Sequence, residues 1–234
     1  MTPRSRPTDV WAVLPVKRLA LAKSRLGGVL TPAERRRLAR AMLLDVLDAV
    51  QATMGIDAVL VVTADAEVAR LAQGQGARIL RDAFETGVNE AVAQATGLLT
   101  AEGRDGVVIL PADVPLANPD ELRAVLAAMA MGSIVLVPAS GEGGTNLIAA
   151  APPSLVDPCF GVDSFAKHVA AARARGIAPK IMRLDGIGHD VDNPHDLLIQ
   201  LGRGAPTRTH TLLRDHDVTA RLSRLAQVRS GGPN

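Results

Sequence analysis

Four apolar residues in a row, Val107 to Leu110, stand near the middle of the chain, and the run stops at Pro111. An aliphatic run of that kind, rich in β-branched residues, predicts a strand buried on both faces. Similar runs at residues 10–16, 58–63, 77–80 and 134–138 predict four more strands. Between them the apolar positions recur three and four apart. Leu38, Met42, Leu43, Val46, Leu47 and Val50 mark one face of a helix that runs on toward Gly55. Its start is written in the sequence: Thr31 as N-cap, Pro32 in the first helical position, and Glu34 to close a capping box. The same spacing predicts helices over 66–73, over 88–99 with Thr86 as its cap, and over 119–131. Strands alternating with helices over the first 140 residues predict a three-layer α/β/α fold around a mostly parallel sheet.

After that the pattern loosens. Residues 147–150 read as a strand, 164–175 as a helix, 180–184 as extended, and 193–201 as a helix with Pro194 in its first turn. Beyond Gly202 arginine, threonine, histidine and aspartate take over, with a short helix over 218–228. The expected layout is a tail at 1–9, one domain over 10–202, and a polar extension at 203–234 lying outside the core.

At 234 residues and 47% hydrophobic content the chain can bury one large core. Only three Phe and one Trp are aromatic, so Leu, Val, Ile and Ala must fill it. A net charge of +2 gives no argument for a nucleic-acid partner. The single cysteine, Cys159, excludes an internal disulfide and a Cys-rich zinc site. No leader and no apolar run of about 18 residues is seen, so a soluble cytoplasmic protein without a membrane partner is expected.

Asp113 follows the central strand between Pro111 and Pro115. In open α/β sheets ligands sit beyond the carboxyl ends of the strands, so a carboxylate there is placed for a metal or a ligand. Capping the helix near Asn118 is the plainer alternative. Lys17, Lys23 and Arg25 follow the first strand in a loop that needs no core, with Gly27 and Gly28 beyond. Three cations suit a polyphosphate. Neither P-loop nor dinucleotide spacing is present, however, and a basic loop alone carries little weight.

Asp190 and Asp192 alternate about Val191, so an extended chain points both carboxylates to one side. With Asp113 they would suit Mg²⁺, which prefers oxygen ligands. Asp192 or Asn193 is equally suited to cap the following helix, and His189 reads as a supporting residue rather than a ligand. Gly143-Gly-Thr-Asn146 and Phe160-Gly-Val-Asp-Ser-Phe165 are two loops of small residues and hydroxyls. Glycine lets backbone amides approach an anion, and Ser164 at a helix start adds a donor beside the positive helix end.

Taken in this order, the motifs resemble those of the guanylyltransferases of coenzyme F-420 biosynthesis, nucleotidyltransferases of the glycosyltransferase-A-like fold. The resemblance covers about residues 10–202. It rests on Pro15-Val-Lys-Arg-Leu-Ala-Leu-Ala-Lys-Ser-Arg-Leu26, Gly87-Val-Asn-Glu-Ala-Val92, Leu110-Pro-Ala-Asp-Val-Pro115, Gly144-Thr-Asn146, Phe160-Gly-Val-Asp-Ser164 and Asp190-Val-Asp-Asn-Pro194. It implies transfer of GMP from GTP to phosphoenolpyruvate, 2-phospho-L-lactate or 3-phosphoglycerate, with release of pyrophosphate. It further implies that Lys17, Lys23 and Arg25 bind triphosphate, that Asn89 lies near the guanine, and that Asp113, Asp190 and Asp192 hold Mg²⁺. Thr145, Gly161 and Ser164 are implied to bind the acceptor's phosphate. The oligomeric state stays open, a homodimer included. Two other readings stand beside this one: a transferase of the same fold using another nucleotide or a sugar-nucleotide, and a non-enzymatic signalling domain phosphorylated on Asp113. The second would carry an acidic pair after its first strand, where this chain has Lys17-Arg18.

Overall fold

The computed structural model describes residues 5–82, 87–141, 143–204 and 206–230. Among these, seven strands form one sheet: β1 (Val10–Pro15), β2 (Ala58–Thr63), β3 (Arg78–Arg81), β4 (Gly106–Ile109), β5 (Ser133–Pro138), β6 (Thr145–Ala151) and β7 (Lys180–Ile181). They lie in the order β3-β2-β1-β4-β6-β5-β7. Every pairing is parallel except the two made by β6, which runs antiparallel to β4 and β5. The helices are α1 (Pro32–Gln51), α2 (Ala66–Gly74), α3 (Val88–Ala101), α4 (Pro119–Ala128), α5 (Ser164–Ala174), α6 (Pro194–Gly202), α7 (Arg208–Asp215) and α8 (Val218–Ser230).

Neighbouring residues of one strand serve opposite layers, as the two-residue period of a strand requires. Val108 and Leu110 join the cluster that holds α1, α2, α4, α6, α7 and α8; Val107 and Ile109 join the cluster that holds α3 and α5. The sheet is therefore covered on both faces, and the three-layer expectation holds. Continuous aliphatic runs follow from this: every residue of β4 and β6 is buried.

Helix α1 starts as its sequence dictates. Glu34 Oε2 accepts from the Thr31 amide at 2.8 Å and Thr31 Oγ1 accepts from the Glu34 amide at 3.3 Å. Leu38, Leu43, Val46 and Leu47 on its inner face are fully buried. Truncating one of them to Ala costs about 2–5 kcal/mol.

Several boundaries differ from expectation. Strand β6 begins at Thr145, two residues earlier than the apolar run, because Thr145 pairs with Pro138 across a bulge. Extended structure after residue 180 is limited to two residues, and α4 ends at Ala128 rather than at 131. The expected cap Thr86 lies outside the described residues, and Gly87 stands at the N-cap of α3 with φ +125°. The largest difference is at the C-terminal end. Leu213 and Val218 are fully buried in the same cluster as α1, and the buried Asp45 of α1 accepts from the Arg208 and Thr209 amides at 2.9 Å each. Residues 208–218 thus complete the core rather than trail from it. Among the described residues no helix is long and apolar enough to cross a membrane.

Candidate active site

Strands β1 and β4 are neighbours, yet the chain leaves β1 toward β2 on one side and continues from β4 into the other half of the sheet. Such a switch point opens a crevice beyond the carboxyl ends of the strands. The loops leaving β1 and β4 meet there. Lys23 Nζ donates to Asp113 Oδ2 at 2.6 Å and to Asp192 Oδ1 at 2.7 Å. Asp113 does not cap α4, because the Asn118 side chain does so by accepting from the Glu121 amide at 3.0 Å. Likewise Asn193, not Asp192, caps α6, accepting from the His195 and Asp196 amides. Both carboxylates remain directed at the lysine.

The lysine side chain is 8% exposed. Burial alone would lower its pKa, but the adjacent Asp113 and Asp192 charges and hydrogen bonds outweigh that and raise it above its ordinary value. Its backbone is left-handed (φ +56°), which costs a non-glycine residue of the order of 1 kcal/mol. The loop is not free of the core, as expected, but pinned to it. Leu19 and Leu26 are buried, and Asp65 Oδ2 accepts from the Leu19 amide at 2.9 Å. Lys17 and Arg25, on the same loop, are exposed.

Asp190 and Asp192 flank Val191, which is buried and whose amide donates to the Asp113 carbonyl at 3.0 Å. That bond fixes the pair against the Asp113 loop. Burial pushes the Asp190 carboxyl above its ordinary range; a bond from Asn146 Nδ2 at 3.1 Å opposes this, and the Asp113 and Asp192 charges add to it. Asn146 also donates to the Ile187 carbonyl at 3.1 Å. The Glu121 carboxylate accepts from the Gly186 and Ile187 amides at 2.8 Å each. A Cβ at Gly186 would meet the Leu116 carbonyl oxygen at 2.2 Å, so only glycine allows this turn to lie against α4.

Among the described residues no group of three or more His, Cys, Asp or Glu side chains is gathered into a ligand set by itself. Lys23 stands where Asp113 and Asp192 converge. Yet Asp113 Oδ1 is buried without a hydrogen-bond partner, an acceptor whose capacity only an added donor or cation would fill. Oxygen donors of this kind fit Mg²⁺ if nucleotide phosphates supply the remaining positions.

Further along the sheet end lies a second group. Thr145, Ser164 and His168 are buried at 6%, 2% and 4% exposure. Ser164 Oγ donates to Thr145 Oγ1 at 3.4 Å, Thr145 Oγ1 lies 2.9 Å from His168 Nδ1, and the Cys159 amide donates to His168 Nε2 at 2.9 Å. Gly161 is exposed with φ +122°, and its carbonyl accepts from the Ser164 amide at 3.1 Å. Asn89 is engaged at both ends of its amide: Nδ2 donates to the Phe160 carbonyl at 3.2 Å and Oδ1 accepts from the Phe160 amide at 2.7 Å. It braces the 160–164 loop, with a second N–H and a second oxygen lone pair left over.

The structure therefore brings Lys23, Asp113, Asp190 and Asp192 together, and separately Thr145, Ser164 and the Gly161 loop. A family model described as guanylyl transferase CofC like matches residues 10–230. The chain belongs to that family. Matching through residue 230 agrees with the packing of α7 and α8 on α1. The phosphoenolpyruvate guanylyltransferase of Conexibacter woesei is 40% identical over 212 residues, covering 88% of this chain and 95% of that protein. The 2-phospho-L-lactate guanylyltransferase of Methanothermobacter thermautotrophicus is 35% identical over 213 residues, covering 91% and 93%. A solved structure from Desulfovibrio desulfuricans, of the nucleotide-diphospho-sugar transferase fold, superposes with a TM-score of 0.76 at 19% identity over 92% of this chain and 97% of that one. The fold is shared, and the chain is a nucleotidyltransferase of the guanylyltransferase family.

Three side chains support these two groups without a role assigned to them from the sequence. Asn146 stands at the end of a small-residue stretch and ties the Asp190 carboxylate to the Ile187 carbonyl. Glu121 acts from a helix 65 residues away from its partner, which no local pattern reveals. His168 had a usable signal: it lies four residues after Ser164, on the same face of α5.

Proposed function

We propose that the protein transfers GMP from GTP to a small phosphorylated carboxylic acid and releases pyrophosphate, in coenzyme F-420 biosynthesis. The observation that carries this reading is the junction at the switch point, where one buried ammonium bridges Asp113 and Asp192 and a carboxylate oxygen is left without a partner. Lys17, Lys23 and Arg25 hold the triphosphate. Asp113, Asp190 and Asp192 hold Mg²⁺, which supplies charge stabilisation at the phosphoryl oxygens. Thr145, Gly161 and Ser164 receive the acceptor's phosphate.

An oxygen of that phosphate attacks the α-phosphorus of GTP in line. The bond to the bridging oxygen breaks, and its electron pair leaves with pyrophosphate. A phosphate monoester is already anionic near neutral pH, so no general base is needed. The barrier lies in bringing two anions together, and fixed cations lower it. Phosphoenolpyruvate, 2-phospho-L-lactate and 3-phosphoglycerate are the acids to consider; relatives named for the first two support the class.

The test crosses four nucleoside triphosphates with the three acids in a pyrophosphate-release assay. In a parallel run the next enzyme of the pathway is coupled, to consume the product as it forms. Release that requires GTP and one acid supports the reading. Release with GTP and none of the acids, or with CTP or ATP in preference, overturns it.

A further inference from the structure

A backbone amide can only donate, so the Cys159 N–H at 2.9 Å from His168 Nε2 requires that nitrogen to carry a lone pair. In a neutral ring the proton is then on Nδ1. Thr145 Oγ1, 2.9 Å from Nδ1, therefore accepts from the histidine, and it accepts again from Ser164 Oγ at 3.4 Å. Both of its lone pairs are taken, and what remains to the hydroxyl is its proton. In the other tautomer Thr145 would have to donate to Nδ1 and would have no proton for a ligand. The ring thus decides whether Thr145 can offer a hydrogen bond to an anion.

We propose that His168 is the positioning residue of the acceptor site, keeping the Thr145 hydroxyl proton available to the acceptor's phosphate through an Nδ1–H tautomer that the Cys159 amide enforces. This rests on the reading of Thr145 and Ser164 given above. The arrangement is braced on every side. Phe160 meets the ring edge-on with centroids 4.9 Å apart, Asn89 holds both backbone polar groups of Phe160, and the Phe165 amide donates to the Gly143 carbonyl at 3.0 Å. Three segments that are far apart in sequence, the start of β6, residues 159–161 and the first turn of α5, are joined through one imidazole. Burial lowers the His168 pKa to about 4, with the Ser164 backbone carbonyl working against it, so the ring stays neutral over the physiological range.

Two substitutions separate the two ring nitrogens. His168→Asn places an amide N–H near the position of Nδ1 and keeps the bond to Thr145. His168→Gln places an amide oxygen near the position of Nε2, keeps the bond from Cys159, and loses the one to Thr145. The Gln variant is expected to raise the acceptor KM about tenfold, with kcat and the GTP KM within about twofold of wild type. The Asn variant is expected to stay within about threefold, and adding Thr145→Val to the Gln variant is expected to change the acceptor KM by less than about twofold. Independently, ¹⁵N-histidine NMR of the wild-type chain is expected to show the Nδ1–H tautomer for His168.

An Nε2–H or doubly protonated ring overturns the inference even if guanylyl transfer is intact. So does a Gln variant with wild-type acceptor KM, or one in which the GTP KM rises equally. Absence of pyrophosphate release by the wild-type chain with all three acids removes the functional reading itself, and this inference with it.

Discussion

The two ends of the crevice are built on opposite principles. At the carboxylate end, charges face one another and one buried acceptor, Asp113 Oδ1, has no partner. At the hydroxyl end, Thr145, Ser164 and His168 satisfy one another within the protein. The first end has capacity that something must complete, and it carries a strained lysine backbone. The second is already hydrogen-bonded within the protein, with one hydroxyl proton left to give. A site that must bring two anions together benefits from both: unfilled acceptor capacity where charge changes during the reaction, and a preorganised donor where it does not.

Removing charge at the first end should have the largest effect. Asp113→Asn is expected to lower turnover by at least about a hundredfold, close to 3 kcal/mol of barrier, while the protein remains folded. Near wild-type rates across a Mg²⁺ titration would remove Asp113 from the metal site. Lys23→Met sharpens the same point through stability. It leaves Asp113 and Asp192 facing each other without their cation, and both are partly exposed, so the loss is screened. We expect a melting temperature lower by about 2–4 °C without Mg²⁺, and a larger upward shift on adding Mg²⁺ than wild type shows. Equal shifts in both proteins would mean that the lysine and the ion do not share these carboxylates.

Asn89→Ala probes the second end. With the brace on Phe160 removed, the acceptor KM should rise about threefold to tenfold, and the preference for GTP over ATP in kcat/KM should hold. A lost GTP preference with unchanged acceptor KM would return Asn89 to the base site that the family resemblance implies. The smallest effect concerns pH. The folded-state pKa of His168 lies below the ordinary value, so between about pH 4 and 6.5 the unfolded chain binds a proton that the folded chain does not. Its contribution is present above that window and is lost as pH falls through it. The difference in melting temperature between wild type and His168→Asn should therefore shrink as pH falls from 6.5 toward 4. A constant difference would contradict the depressed pKa.

Much of this was legible in the sequence because it is local. The capping box at Thr31, the aliphatic run at 107–110, and the alternation of Asp190 and Asp192 about Val191 each express their structure within a few residues. What stayed hidden depends on partners far away. Residues after 203 look polar because, among the described residues, α7 buries only Thr209 and Leu213 and α8 Val218, and because Asp45, some 160 residues earlier, satisfies the amides at the start of α7. That Lys23 rests on carboxylates 90 and 169 residues ahead is likewise a property of the switch point, not of the basic loop. Thr145 read as a loop residue because glycines precede it, whereas pairing with Pro138 draws it into β6.

We propose that the α-phosphorus of GTP, not its γ-phosphorus, is transferred at the junction of Lys23, Asp113 and Asp192. Parallel reactions with α-labelled and γ-labelled [³²P]GTP and the preferred acid test it directly. The account predicts that the α label moves into a product containing the acid while the γ label is recovered as pyrophosphate. A γ label recovered on the acid, or an α label that stays in GTP, GDP or free GMP while the acid is consumed, would contradict it.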